Sequence, residues 1–243
     1  MVVNFLIVGT QKGGTTALAR FIAQHPKVFI PSQKELHYFD NKDFFKKYPP
    51  NYTIYHDWFQ PNENQILLGE ATPIYMYWKK AAKRIFLYNP CMKLIFILRN
   101  PIDRAYSHYN MEINCNNEYL SFRLALFFEL VLRWLFPLKQ FRVHSYIDRG
   151  YYSKSIKRMM KFFPKEQMLF LRTEDLQANH QSTLKKVFEF LNIPNVEIEQ
   201  ENFFVNEYHS MNESERNLLK IKYHKEIEKL EVMLSWNLNK WKS

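Results

Sequence analysis

The chain has 243 residues, with 34 Lys and Arg against 24 Asp and Glu, a formal net charge of +10, and only 5 Gly and 2 Cys. That length suits one domain with ample core, and the charge favours polyanionic partners, while the lack of any RNA-binding or helix-turn-helix signature argues against nucleic acid. Cys91 and Cys115 lie far apart with no His or Cys at metal-ligand spacing nearby, so neither a disulfide framework nor a zinc site is indicated, and a reduced, cytoplasmic location is the expectation.

The first apolar run, Val2, Val3 and Phe5 to Val8, is short and partly β-branched, and it reads as a buried strand. No basic segment precedes it, and it is too short for a signal-peptide core. VGTQKGGTTAL follows, Val8 to Leu18, holding three of the chain's glycines, and Ala17 to Gln24 reads as a helix. A strand, a glycine-rich turn and a helix N-terminus aim unpaired backbone N–H groups and the helix dipole at one place, which is an anion site. Gly9 and Gly14 keep the spacing of the nucleotide-binding G-x-x-x-x-G-K-[ST] loop, but Thr15 stands at the lysine position and Lys12 lies two residues before Gly14. A phosphate cradle survives that change: Gly13 and Gly14 permit close approach, Thr15 and Thr16 supply hydroxyls, and Lys12 supplies a cation on the rim.

Lys27 to Pro31 and Ile66 to Pro73 are the next strand candidates, and helical periodicity runs from Tyr77 to about Tyr88. KLIFILRNP, Lys93 to Pro101, is the clearest buried strand, closed by Arg99, Asn100 and Pro101. The helix expected from Ile102 carries Arg104, Ser107 and His108. Arg99 stands where a magnesium-dependent kinase places an aspartate, and Ser107 comes about two helical turns later, so Arg99, Arg104 and Ser107 suggest a second anion site. Asn116 to Tyr146 is unusually apolar. Its most apolar stretch, LALFFELVLRWLF, is broken by Glu129 and Arg133 and is too short to cross a bilayer, so no transmembrane segment is expected. This insertion, about 116–146, fits a buried core or homodimer helix, an acceptor-site lid or a membrane-surface contact. Gln167 to Leu176 gives a last strand, followed by a helix ending near Leu191. Asn212 with Glu215 resembles a capping box that opens a helix to about Met233, whose lysines and glutamates read as a solvated face. Strands alternating with helices predict an α/β fold over residues 1–243: a single domain with a central parallel β-sheet flanked by helices, and ligands beyond the carboxyl ends of the strands.

GTQKGGTT, KELHYFD, LRNPIDRAYSHY and RGYYSKSIKRMMKFFPKEQMLFLRTEDL together resemble the P-loop-like sulfotransferase family that uses 3′-phosphoadenosine 5′-phosphosulfate (PAPS) as donor, most of all its heparan sulfate sulfotransferase branch and bacterial relatives. The resemblance spans about Phe5 to Pro194. It implies in-line sulfuryl transfer without a metal, leaving 3′-phosphoadenosine 5′-phosphate (PAP). By match, Gln11, Lys12, Gly13, Gly14, Thr15 and Thr16 hold the 5′-phosphosulfate, with Lys12 at the bridging oxygen, and Arg99 and Ser107 hold the 3′-phosphate. Glu35, three residues before Tyr38 and Phe39, matches the base that takes the acceptor's proton, and His37 is its competitor. The segment from Gly150 to Ile156 lies near the nucleotide in the family. Two departures stand out. Glu70-Ala71-Thr72-Pro73 lacks the lysine that some glycan enzymes carry before Thr-Pro, and Asn202 to Lys222 contains neither their disulfide nor their basic loop. These departures set aside the full heparan sulfate assignment, and an apolar lid over 116–146 suits a hydroxyl or amine of a small molecule, lipid or secondary metabolite as acceptor, with a glycan sulfotransferase or a P-loop-type kinase as alternatives and a non-catalytic binder of nucleic acid or anionic lipid as the remaining class.

Overall fold

The computed structural model describes residues 2–199 and 209–242. Among these residues five strands, β1 (Phe5–Gly9), β2 (Val28–Phe29), β3 (Leu67–Ala71), β4 (Lys93–Leu98) and β5 (Met168–Arg172), form one sheet in the order β2-β3-β1-β4-β5. Every pairing is parallel. The helices among the described residues are α1 (Thr15–Ala23), α2 (Thr53–His56), α3 (Ala81–Tyr88), α4 (Pro101–Asn114), α5 (Phe122–Leu135), α6 (Tyr152–Met159), α7 (Thr173–Ala178), α8 (His180–Leu191), α9 (Glu213–Leu234) and α10 (Asn239–Lys242). The chain divides into two compact units, Met1–Leu98 with Lys157–Val205, and Arg99–Ile156 with Asn206–Ser243. Residues 202–208, part of the stretch that the sequence reads as free of a basic loop, lie outside the described residues.

The first unit holds the sheet. Phe5 to Gly9 and Leu94 to Leu98 are buried at every position, so these strands are continuous apolar runs rather than alternating ones, as a sheet covered on both faces requires. One core joins Leu18, Phe21 and Ile22 of α1 and Leu184, Val187 and Phe188 of α8 to Phe5, Ile7, Ile95 and Ile97 of the sheet. Each such side chain contributes about 1.5–3 kcal/mol when fully buried. Because β1 sits between β3 and β4, the connections run to one side of it and then to the other, which opens a crevice at its carboxyl end. The register passes from Ile7 opposite Ile95 to Gly9 opposite Phe96, so the ladder is irregular where β1 feeds the glycine-rich turn. Three expectations need adjustment. The second strand shrinks to two residues, the helix expected from Tyr77 starts at Ala81, and the helix after β5 is split in two. The split falls at Asn179, whose side chain accepts from Ser182 N at 2.9 Å and so begins α8 afresh.

In the second unit α4 opens on Asn100, whose Oδ1 accepts from Ile102 N at 3.0 Å, with Pro101 at the first helical position, where its missing N–H costs nothing. α5 buries Phe122, Ala125, Leu126 and Glu129, while Leu124, Phe127, Trp134 and Leu135 stay exposed. A buried core helix therefore describes only one face of the apolar insertion. Asn212 caps α9 by accepting from Ser214 N at 2.9 Å. The reading of α9 as solvated fails at Glu226, which is buried and accepts from Ser153 N at 2.6 Å and Ser153 Oγ at 2.8 Å. The start of α6 needs an acceptor for an orphan N–H, and a carboxylate from α9 supplies it.

Candidate active site

At the carboxyl end of β1, Thr10 N donates to Ile97 O at 2.8 Å and Gly13 N donates back to Thr10 O at 2.9 Å, closing a tight turn. A Cβ on Gly13 would lie 2.6 Å from Ile97 O, so the position admits no side chain. Gly14, at φ 92, is the N-cap of α1 and has no side chain to offer the first-turn N–H groups. A helix start of this kind is suited to an anion. Thr15 is buried and Thr16 half-buried. Thr173 Oγ1 lies 2.6 Å from Gly13 O and 3.1 Å from Leu98 O, so one hydroxyl ties the turn to the end of β4. Sequence reading missed Thr173; its place directly after β5 was the signal that could have found it.

The loop after β2 carries a chain of alternating charges. Lys34 Nζ lies 2.7 Å from Glu35 Oε1, Glu35 Oε2 lies 3.5 Å from His37 Nε2, and His37 Nδ1 lies 3.1 Å from both oxygens of the buried Asp40 carboxylate. Burial pushes the Glu35 carboxyl up, but the His37 hydrogen bond and the charge of Lys34 outweigh it and hold the group at about 2. Hydrogen bonds to Asp40 and then Glu35 raise His37 to about 9. At neutral pH Glu35 is therefore an empty carboxylate and His37 a full imidazolium. Asp40 was not singled out in the sequence, although it closes the KELHYFD segment. Lys12, Glu35 and His37 all have left-handed backbones, at φ 66, 59 and 53, a conformation that non-glycine residues adopt at some cost and that concentrates at functional sites.

What holds this loop is a buried polar network. Tyr75 Oη accepts from Tyr38 N at 3.0 Å and Phe39 N at 3.3 Å, and donates to Glu70 Oε1 at 3.0 Å. Tyr55 Oη donates to the same oxygen at 2.9 Å, and Thr72 Oγ1 donates to Glu70 Oε2 at 2.7 Å. Burial pushes the Glu70 carboxyl up to about 7 in spite of these three hydroxyls. Arg84 Nη1 adds a bond to Phe39 O at 2.8 Å. A cavity of ≈ 250 Å³, lined by Thr16, Arg20, Pro31, Lys34 and Glu70 among others, joins the first turns of α1 to this loop.

The remaining expected residues lie in the second unit. Arg99 follows β4 directly, and its carbonyl accepts from Tyr152 Oη at 3.0 Å, which singles out one tyrosine of the RGYYSKSI segment. Ser107 is buried, and its Oγ has no hydrogen-bond partner among the described residues. Arg104 is not a crevice cation: it is fully buried and donates through Nη2 to the Tyr146 carbonyl. Among the described residues no helix is long and apolar enough to cross a membrane.

The profile of the sulfotransferase domain family matches residues 3–243. Over 202 residues the chain is 30% identical to heparan sulfate glucosamine 3-O-sulfotransferase 3B1 of Mus musculus, covering 83% of this chain and 49% of that protein. It is 36% identical over 110 residues to the membrane-associated sulfotransferase kil1 of Dictyostelium discoideum, covering 45% of this chain and 23% of that protein. The chain thus spans half or less of the length of these curated relatives. A crystal structure of a sulfotransferase from Alicyclobacillus acidocaldarius superposes with a TM-score of 0.87 at 25% identity, covering 100% of both chains. With its glycine-rich turn, its parallel sheet and a family match over nearly its whole length, the chain belongs to the sulfotransferase domain family.

Proposed function

We propose that the protein moves a sulfuryl group from PAPS to a hydroxyl or amine of a small-molecule or lipid acceptor, with Glu35 taking the acceptor's proton. The observation that carries this reading is the Lys34–Glu35–His37–Asp40 chain, which keeps one carboxylate ionised and clamps the neighbouring imidazole as a cation. His37 already holds a proton at neutral pH, which suits it to orient Glu35 rather than to act as the base. In this reading Gln11, Lys12, Gly13, Gly14, Thr15 and Thr16 hold the 5′-phosphosulfate, and Arg99 and Ser107 hold the 3′-phosphate, as the resemblance of these motifs implies. The uncapped helix start after Gly14 and the unpartnered Ser107 hydroxyl fit anionic groups of that kind. Lys12 then neutralises charge building on the leaving oxygen, where stabilisation lowers the barrier most.

The size of the cavity and its mixed lining of Ile30, Pro31 and Ala23 beside Arg20 and Lys34 support a compact acceptor. A glycan acceptor is the second reading, favoured by the 30% identity to a heparan sulfate enzyme. The free, exposed Cys91 and Cys115 support a reducing, cytoplasmic setting. The test is to incubate the purified protein with PAPS and matched panels of small alcohols, glycolipids and desulfated glycans, with EDTA present, and to follow sulfated products by mass spectrometry. Sulfation of the small molecules or glycolipids is expected. Sulfation of glycans alone transfers the assignment to the second reading. Turnover that disappears in EDTA and returns with magnesium overturns the metal-free mechanism.

A further inference from the structure

The outward face of α5 is apolar. Leu124, Phe127, Phe128, Val131 and Leu135 recur at the spacing of one helical stripe. Leu124 is 55% exposed, Phe127 65% and Trp134 81%, and the chain beyond the helix adds Leu138 at 83%. The opposite face packs inward through Phe122, Ala125 and Leu126, so this helix is apolar on both sides. Such a helix is normally buried on both sides, but on its outer side here Val131 is only half-buried and Phe128 meets one ring edge-on, His144 at 5.0 Å, while Leu124, Phe127 and Leu135 stay exposed.

Charge identifies the cover. Residues 116–147 contain two carboxylates, Glu118 and Glu129, and both are buried. Glu129 accepts from Ile147 N and Asp148 N at 2.7 Å each, and Glu118 Oε1 accepts from Tyr119 N at 2.9 Å and Leu120 N at 3.0 Å. Arg133 turns back to Asp148 at 2.8 Å. Arg123 is exposed on the helix next to the stripe, and Lys139 and Arg142 are exposed in the chain that follows it. Lys139 Nζ stands 5.5 Å and 5.1 Å from the ring centres of Phe136 and Phe141, which mixes cation and aromatic surface at the helix end. The outer side thus shows leucines, aromatics and cations, with every carboxylate of the segment turned inward.

We infer that this face docks on an anionic lipid surface, with Leu124, Phe127, Phe128 and Leu135 entering the acyl boundary, Trp134 at the headgroup level, and Arg123, Lys139 and Arg142 on lipid phosphates. Interfacial helices bind through this combination of buried apolar area and attraction to anionic headgroups. A second copy of the chain fits less well, because a two-fold contact would bring the exposed cations of the segment together while both of its own carboxylates, Glu118 and Glu129, are buried. An acidic glycan would match the cations but leave the phenyl and indole groups in water. The docking does not depend on which acceptor is sulfated.

The test compares co-sedimentation of the intact protein with vesicles of phosphatidylcholine and with vesicles in which about one third is phosphatidylglycerol. Binding to the anionic vesicles, weakened by salt, is expected. The exposed double substitution Phe127→Ser with Trp134→Ser should reduce the partition constant at least about tenfold, and Arg123→Gln with Lys139→Gln should reduce the preference for anionic over neutral vesicles. Brominated acyl chains should quench tryptophan emission in the parent protein, and Trp134→Phe should remove most of that quenching while leaving sedimentation in place. Equal binding to both vesicle types refutes the electrostatic half of the inference. Binding that survives Phe127→Ser with Trp134→Ser refutes the assigned face. No vesicle binding, together with a dimer by analytical ultracentrifugation that the same double substitution dissociates, gives the face to a second copy instead.

Discussion

Replacing Tyr75 with Phe removes one oxygen that serves three partners, and the loop bearing Glu35, His37 and Asp40 depends on two of them. Tyr55→Phe is the matched control, since Tyr55 Oη donates to the same Glu70 oxygen but accepts from no backbone group in the loop. A hydroxyl bonded to a carboxylate contributes about 1.5–3 kcal/mol, and both variants lose that. Tyr75→Phe also strands the buried N–H of Tyr38, held at 3.0 Å, and that of Phe39, held more loosely at 3.3 Å. A buried donor left without an acceptor costs about 1–3 kcal/mol, so Tyr75→Phe should cost roughly 2 kcal/mol more than its control. For a protein of this size that is a further fall in Tm of about 4–8 °C. Scanning calorimetry of the two variants side by side reads the difference directly, and turnover measured alongside should fall more in Tyr75→Phe, because its loop is the one released. Equal Tm losses would show that Tyr75 does not hold the loop backbone.

Three further outcomes are expected. Glu35→Gln should lower kcat by about 100-fold to 10,000-fold with PAP affinity unchanged by calorimetry, whereas His37→Ala should lower it less; the reverse ranking would make His37 the base. Arg99→Ala should weaken PAP by about tenfold or more and ADP much less, because a charged hydrogen bond aimed at a 3′-phosphate has no partner on ADP; equal losses would remove Arg99 from that role. Stability should decline from about pH 5 to pH 8, since burial raises the carboxyls of Glu70 and Glu129 from 4.5 to about 7, a penalty absent below the unfolded value and complete above the folded one. Each group contributes on the order of 3 kcal/mol. His37 adds in the same direction, because its extra stability is full below its unfolded value of 6.5 and is lost as pH rises through about 9. Calorimetry across this range that shows a flat or rising Tm would contradict the assignment.

The glycine-rich turn and the strands β1 and β4 were legible because continuous apolar runs suit a sheet covered on both faces, and adjacent glycines with two threonines suit a turn that must admit an anion. Glu35 and His37 were legible as a pair, but Asp40 was not. On an extended chain a residue three places along points to the opposite side, and only the left-handed backbones at Glu35 and His37 turn its carboxylate under the imidazole. Glu226 misled, and the role of Glu129 went unread, for a different reason. Charged residues on helices are normally solvated, but each of these accepts backbone N–H groups from a loop or helix start far along the chain, a demand that no local pattern announces. The outward apolar face of α5 was visible as composition, but only the direction of Glu129 decided which side faces out.

The central place of β1 carries a consequence for how the chain is made. Its five buried residues leave the ribosome well before their partners, which are Gly69 to Ala71 on one side and Lys93 to Phe96 on the other. At roughly 5–20 residues per second, several seconds pass before either neighbour can reach it, and parallel pairing over such separations is slow even then. During that interval Phe-Leu-Ile-Val is an unpaired strand with two sticky edges, the kind of segment that seeds aggregation or recruits a chaperone. Expression yield should therefore respond more to slowing synthesis before Lys93, which prolongs that exposure, than to slowing it later.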